Sequence, residues 1–153
     1  MQIFERERDG IRVRLPDGLA RFLRDVPMVL ATVGFEADDP AALRLSVPVY
    51  LDDPAANAEY WGWMGADLDG ERRDDRATFA RVVDAAVGAR KGTIISESEA
   101  AALLRVLVET RLVLAARMGV EVESDYEKLE DAQSEALDVL GQLQLLLIDE
   151  LTS

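Results

Sequence analysis

Between Leu137 and Leu151 nine large apolar residues fall within fifteen positions: Leu137, Val139, Leu140, Leu143, Leu145, Leu146, Leu147, Ile148 and Leu151. A helix that lays one stripe on a core needs only about three or four such residues per two turns. This segment is apolar around most of its circumference, so as a helix it must either run through the interior or be covered by a second molecule. A small domain has few helices with which to enclose it. A two-fold contact is the commonest closed assembly, and a homodimer is expected to cover the surplus, with Leu145 and Ile148 at the interface and Asp149 and Glu150 at its rim.

The rest of the chain supplies mostly helical partners. Ser96 and Glu99 form a capping box with Ile95 and Ala100 at the staple positions, and a helix is expected from there through Leu103, Leu107 and Leu114 to Met118, stopped by Gly119. Ser124 and Glu127 carry the same signal and are expected to open the last helix. Upstream, Asp74 to Val87 presents Phe79, Val82, Val83 and Ala86 as one stripe. The second of two Asp-Asp-Pro-Ala-Ala strings, Asp52 to Ala56, opens a helix carrying Tyr60, Trp61 and Met64, which breaks near Gly70 or continues through it. The first string, Asp38 to Ala42, falls in a stretch, Gly34 to Pro48, that reads as loop. Pro16-Asp17 starts a helix with Leu19, Phe22, Leu23, Val26 and Leu30 in register, kinked or ended by Pro27.

Gln2 to Leu15 reads as a β-hairpin, because Asp9-Gly10 suits a two-residue type I′ turn between alternating runs. With Arg8 facing Ile11, Glu7 meets Arg12 and Glu5 meets Arg14 on one face, while Phe4, Ile11, Val13 and Leu15 share the other. The expected fold is mainly α: a single domain over residues 1–153, with a hairpin at 1–15 and a helical bundle at 16–153.

Composition narrows the chemistry. The chain has no cysteine and no histidine, which removes thiolate nucleophiles, disulfides, thiol redox sensing, zinc-thiolate sites and Ser-His-Asp triads. Its net charge is −13. The charge is polarised: Met1 to Arg24 has six arginines against four acids, and Glu121 to Glu150 has ten acids against Lys128 alone. Direct nucleic-acid binding and attachment to anionic membranes are therefore disfavoured. No apolar run reaches the ~18 residues of a membrane span, and the charged start is unlike a signal peptide, so a cytoplasmic location is expected.

Individual clusters have plain explanations beside functional ones. The acids Glu121, Glu123, Asp125 and Glu127 lack the central glycine of a calcium loop and read as a solvated helix start. Gly88 to Thr93 lacks the spacing of a phosphate-binding loop and reads as a turn. No catalytic residue, metal site or cofactor is assigned, and the chain is expected not to be an enzyme. Arg111 and Arg117 bracket the apolar run Leu112 to Ala116, where each must find a carboxylate or reach solvent; Asp52 or Asp53 is the expected partner of Arg111. Trp61 and Trp63, two apart on a helix, diverge by roughly 200°, so one is expected at the surface as an interface candidate.

Taken in order, the strings Arg44-Leu45, Pro48-Val49-Tyr50-Leu51-Asp52-Asp53, Ala58-Glu59-Tyr60, Arg111-Leu112-Val113-Leu114, Arg117-Met118-Gly119 and Leu140-Gly141-Gln142-Leu143-Gln144 form a pattern over nearly the whole chain. It resembles the AosR-like family of actinobacterial proteins, filed as a domain of unknown function and commonly encoded beside the Clp protease adaptor ClpS. The resemblance implies a helical regulator, some of whose relatives respond to oxidative stress through a cysteine pair and act on transcription with a sigma factor. This chain lacks the cysteines, so partner binding is the property it would retain. The residues carried over are Arg44, Tyr50, Asp52, Asp53, Arg111 and Arg117, as a structural ion-pair network or a binding site. The expected function is a protein-interaction regulator, with an accessory role in Clp proteolysis or an enzyme of another class as alternatives. The charge balance makes one direct prediction: in a mobility-shift assay near roughly 0.15 M salt the isolated protein leaves generic duplex DNA unshifted at micromolar concentration.

Overall fold

The computed structural model describes residues 2–33, 39–45 and 54–153, with the backbone alone for 43–45 and 54–69. The chain begins with strands β1 (Phe4–Glu7) and β2 (Gly10–Val13), followed by α1 (Asp17–Arg24), α2 (Val26–Ala31), α3 (Pro40–Leu45) and α4 (Pro54–Gly88). Strand β3 (Thr93–Ile95) then leads into α5 (Glu97–Arg117), α6 (Glu123–Tyr126) and α7 (Asp131–Leu151). The expected class holds, a helical bundle preceded by an antiparallel hairpin. The hairpin is extended by β3, which pairs antiparallel with β2 to give the order β1-β2-β3. The stretch read as a turn thus ends in a strand.

The hairpin register differs from the expectation by two residues. Phe4 lies opposite Val13, Glu5 opposite Arg12, Arg6 opposite Ile11 and Glu7 opposite Gly10. A type I′ turn over Asp9-Gly10 needs positive φ at both positions. Among the described residues no non-glycine has positive φ, so Arg8 and Asp9 make the loop and Gly10, at φ 149°, closes it. A Cβ on Gly10 would stand 2.2 Å from the Ile95 carbonyl oxygen, so only glycine lets β3 approach here. A shift of two preserves the faces, and Phe4, Ile11 and Val13 are buried with Leu15 half-buried beside them. The two expected ion pairs form across the diagonal instead: Arg12 Nε is 2.5 Å from Glu7 and Arg14 Nη1 is 2.6 Å from Glu5.

The first helix breaks at Asp25, and Pro27 stands in the first turn of α2, where its missing N–H is harmless. The stretch read as loop contains α3. There Asp39 caps the helix, its Oδ1 accepting the Ala41 N–H at 3.0 Å, so the first Asp-Asp-Pro-Ala-Ala string opens a helix as the second does. The helix that was to break or continue at Gly70 continues: α4 is 35 residues long.

Helix α5 is the hub. Its buried residues include Leu103, Val106, Leu107, Thr110 and Val113, and it packs against α2, α3, α4, α7 and β2. Its capping box is complete, with Ser96 Oγ accepting the Glu99 N–H at 3.1 Å and Glu99 Oε1 accepting the Ser96 N–H at 3.0 Å. Gly119, at φ 79°, follows the helix as its stop signal requires. The last helix starts later than expected. Asp125 turns back to accept the amides of Glu121 and Val122, closing the short α6, and α7 begins at Asp131, where Gln133 accepts the Glu130 N–H at 3.1 Å. Arg6 ties β1 to the end of α7: its Nε donates to the Glu150 carbonyl at 3.1 Å and its Nη1 to Glu97 at 2.7 Å.

Hydrogen bonding holds the Glu99 carboxyl below its ordinary value of 4.5, first through the Ser96 amide and then through Arg81. A lowered folded-state value means that the cap stabilises fully above the unfolded-state value and is lost as pH falls through the folded-state value. Urea unfolding should therefore show Ser96→Ala costing about 1 kcal/mol at neutral pH. Glu99→Gln should flatten the acid limb of the stability profile.

Candidate functional site

Buried charge marks the places where this fold holds polar groups in fixed positions. Asp39 and Glu109 are the buried acids among the described residues. Asp39 accepts from Arg117, with Nη2 at 2.9 Å, so the start of α3 is tied to the end of α5. Glu109 pairs with Arg76 of α4, and one α5 turn away Arg105 makes a two-pronged bond to Asp75, both contacts 2.8 Å. Arg117 thus finds a carboxylate, as an arginine flanking an apolar run must. Its partner lies in the string that read as loop.

Arg111 is half-buried on the opposite edge of α5. Its Nε donates to the Leu137 carbonyl at 3.2 Å, and its guanidinium lies over Gly141 of α7, where a Cβ would stand 3.4 Å from Nε. The Tyr126 hydroxyl, beside this guanidinium, donates to Asp138, and that bond raises the phenol pKa above its ordinary value. Tyr50, Asp52 and Asp53 lie outside the described residues, and so does the expected pairing of Arg111 with either acid. Arg44 falls in α3, and Trp61 and Trp63 in α4, at positions described by backbone alone. Of the six carried-over residues the structure places Arg111 and Arg117, and it sets them in separate environments.

Two apolar surfaces stand open. Between α4 and α5 runs a groove of about 810 Å³, with Leu104, Val108 and Leu112 on the α5 side and Glu71, Arg72, Asp74 and Asp75 on the α4 side. On α7, Leu137, Leu140, Leu143 and Leu147 are buried, while Leu145 is 65% exposed and Ile148 42%. The apolar surplus of this helix emerges at Leu145, Leu146 and Ile148. Sequence reasoning missed the Arg76–Glu109 and Arg105–Asp75 pairs. Glu109 lies within the apolar run of α5 and carries the same signal as Arg111, a charge on a face that must be buried.

Among the described residues no group of three or more acids is placed to hold a metal ion, and no helix is long and apolar enough to cross a membrane. The acids around Asp125 make a cap: the Glu121 and Val122 amides hold the Asp125 carboxyl below its ordinary value.

The family profile described as Domain of unknown function (DUF2017) matches residues 1–151. The chain belongs to the DUF2017 family. No curated protein and no solved structure matches this DUF2017 chain.

The Asp39–Arg117 pair gives a stability test. Arg117 is about a third exposed, which softens the cost, so Arg117→Ala should lose about 1 to 3 kcal/mol in urea unfolding. Asp39→Ala should lose more, because the α3 cap goes with it. The double variant should fall short of the sum of the two, by about 1 kcal/mol or more, if the residues couple directly.

Proposed function

We propose that this DUF2017 protein is a non-enzymatic regulator in the cytoplasm that works by contact with a protein partner, in transcription-linked stress control without thiol sensing by its own chain. The observation that carries the reading is the exposed apolar surface of α7 and α5, where Leu145, Ile148, Val108 and Leu112 are each at least 40% exposed; Met28, Ile94 and Val122 are exposed to a similar degree elsewhere. Exposed apolar groups of this kind, rimmed by charge, are what protein contacts bury. The resemblance to AosR-like regulators supports a sigma factor as the partner. With no cysteine in the chain, any thiol-based oxidant response must come from the other component.

The second reading, an accessory role in Clp proteolysis, draws on the association of AosR-like proteins with the adaptor ClpS. Titration calorimetry of the purified chain against purified sigma factors and against the adaptor separates the two. The expected result is a saturable complex with a sigma factor, with Kd about 10 µM or tighter. Prior treatment of this chain with a thiol-specific oxidant should leave that affinity unchanged. A complex with the adaptor alone replaces the first reading by the second, and no complex with either overturns both.

A further inference from the structure

Helical spacing sets the α5 side of the groove next to the exposed residues of α7, although the groove itself is lined by α4 and α5. Arg6 bridges Glu97 at the start of α5 and Glu150 at the end of α7, and Arg111 of α5 lies against Leu137 and Gly141 of α7, so the two helices run antiparallel. Helical spacing carries this contact along the seam. Leu104 lies seven residues before Arg111 and Ile148 seven after Gly141, which brings them level; Val108, three before Arg111, is level with Leu145, four after Gly141. Residues three, four and seven apart share a helix face. The floor of the groove and the exposed stripe of α7 therefore meet across the seam at Arg111.

We infer that this continuous face receives an amphipathic helix of a partner protein, with apolar residues at i, i+3, i+4 and i+7 and arginines or lysines on its flanks. The inference rests on the partner-binding reading above and names the chemistry of that partner. Length fits one helix: Leu112 lies eight residues beyond Leu104, about 12 Å of rise, and three to four turns of a docked helix cover it. Charge chooses between this helix and a second copy of the chain. The lining of the groove carries four acids, Glu71, Asp74, Asp75 and Glu109, against Arg72 and Arg105, and Arg105 holds Asp75 and lies in the field of Glu71. Asp149 stands exposed beside Leu145 on α7. A two-fold contact would set one acidic surface, and one charge of −13, against another, whereas a basic helix is drawn to it.

The test is selection of a displayed library of random 16-residue peptides on the immobilised full chain, with the same selection on Val108→Glu and Leu145→Glu variants. Both positions are exposed, so the variants should keep the parent's circular dichroism and urea midpoint, and placing the two on different helices guards against one misfolding. Enriched peptides should carry net positive charge and helical apolar spacing. Individual peptides should bind the parent at least tenfold more tightly than either variant, and more tightly than their own scrambled sequences. Neutral or acidic winners, winners that bind both variants as well as the parent, or scrambled peptides that bind equally would overturn the inference. So would light scattering that shows a parent dimer at micromolar concentration made monomeric by Leu145→Glu, since a second copy would then be the occupant. Failure here with an intact sigma-factor complex unaffected by either variant would place the partner elsewhere on the chain and leave the broader reading standing.

Discussion

Nearly all of this fold depends on the burial of α5. A helix with Leu103, Val106, Leu107, Thr110 and Val113 in the interior needs cover on several sides, and α2, α3, α4, α7 and the sheet supply it. Burying that much apolar surface is the main favourable term available to a domain of this size. It also forces the treatment of every charge the helix carries. Glu109 is buried and needs a partner, and Arg76 reaches it from α4; Arg117 at the last turn meets Asp39. These pairs add little net stability over an apolar alternative, but each admits one partner and so fixes how α3 and α4 sit on the hub.

The sheet is held to the bundle in the same way. Arg6 faces the same side as Phe4 and Ile11, where a charged residue at the sheet edge would be costly without partners. It lies instead at the C-terminus of α7, where unpaired carbonyls and the helix dipole favour a cation, and bonds to Glu150 and Glu97. One side chain thereby joins the first strand, the start of the hub helix and the end of the last helix. That contact makes α5 and α7 antiparallel neighbours and brings their outer residues onto one face.

What the sequence made legible was local. The Ser96–Glu99 box, the Gly119 stop and the core stripe of α4 are set by spacings within one or two turns, and each appears where those spacings put it. The hairpin shows the limit. Its faces and its ion-pair partners were readable because alternation survives a two-residue shift, but its register depends on β3 crossing close to Gly10, a contact from eighty-five residues away. The start of α7 failed for a related reason: Asp125 caps the chain upstream, on the Glu121 and Val122 amides, and Glu130 with Gln133 supplies the box that opens α7. At the candidate site, the need of Arg117 and Glu109 for partners followed from their apolar neighbours. The identity of those partners is tertiary, and no spacing within α5 encodes it.

The charges on the outer face differ from the buried ones in what they can do. Arg105 and Asp75 face solvent on at least one side, so their bond adds little to stability; it does hold the two rims of the groove at a fixed distance. A rim held in that way presents Glu71 and Asp74 at set positions above an apolar floor. Charge at a rim acts mainly on the rate and register of encounter, and apolar area at the floor acts on how long the complex lasts. In the proposed complex the two roles would be separate, with the field of −13 steering a basic partner in and Val108, Leu112, Leu145 and Ile148 retaining one whose spacing matches.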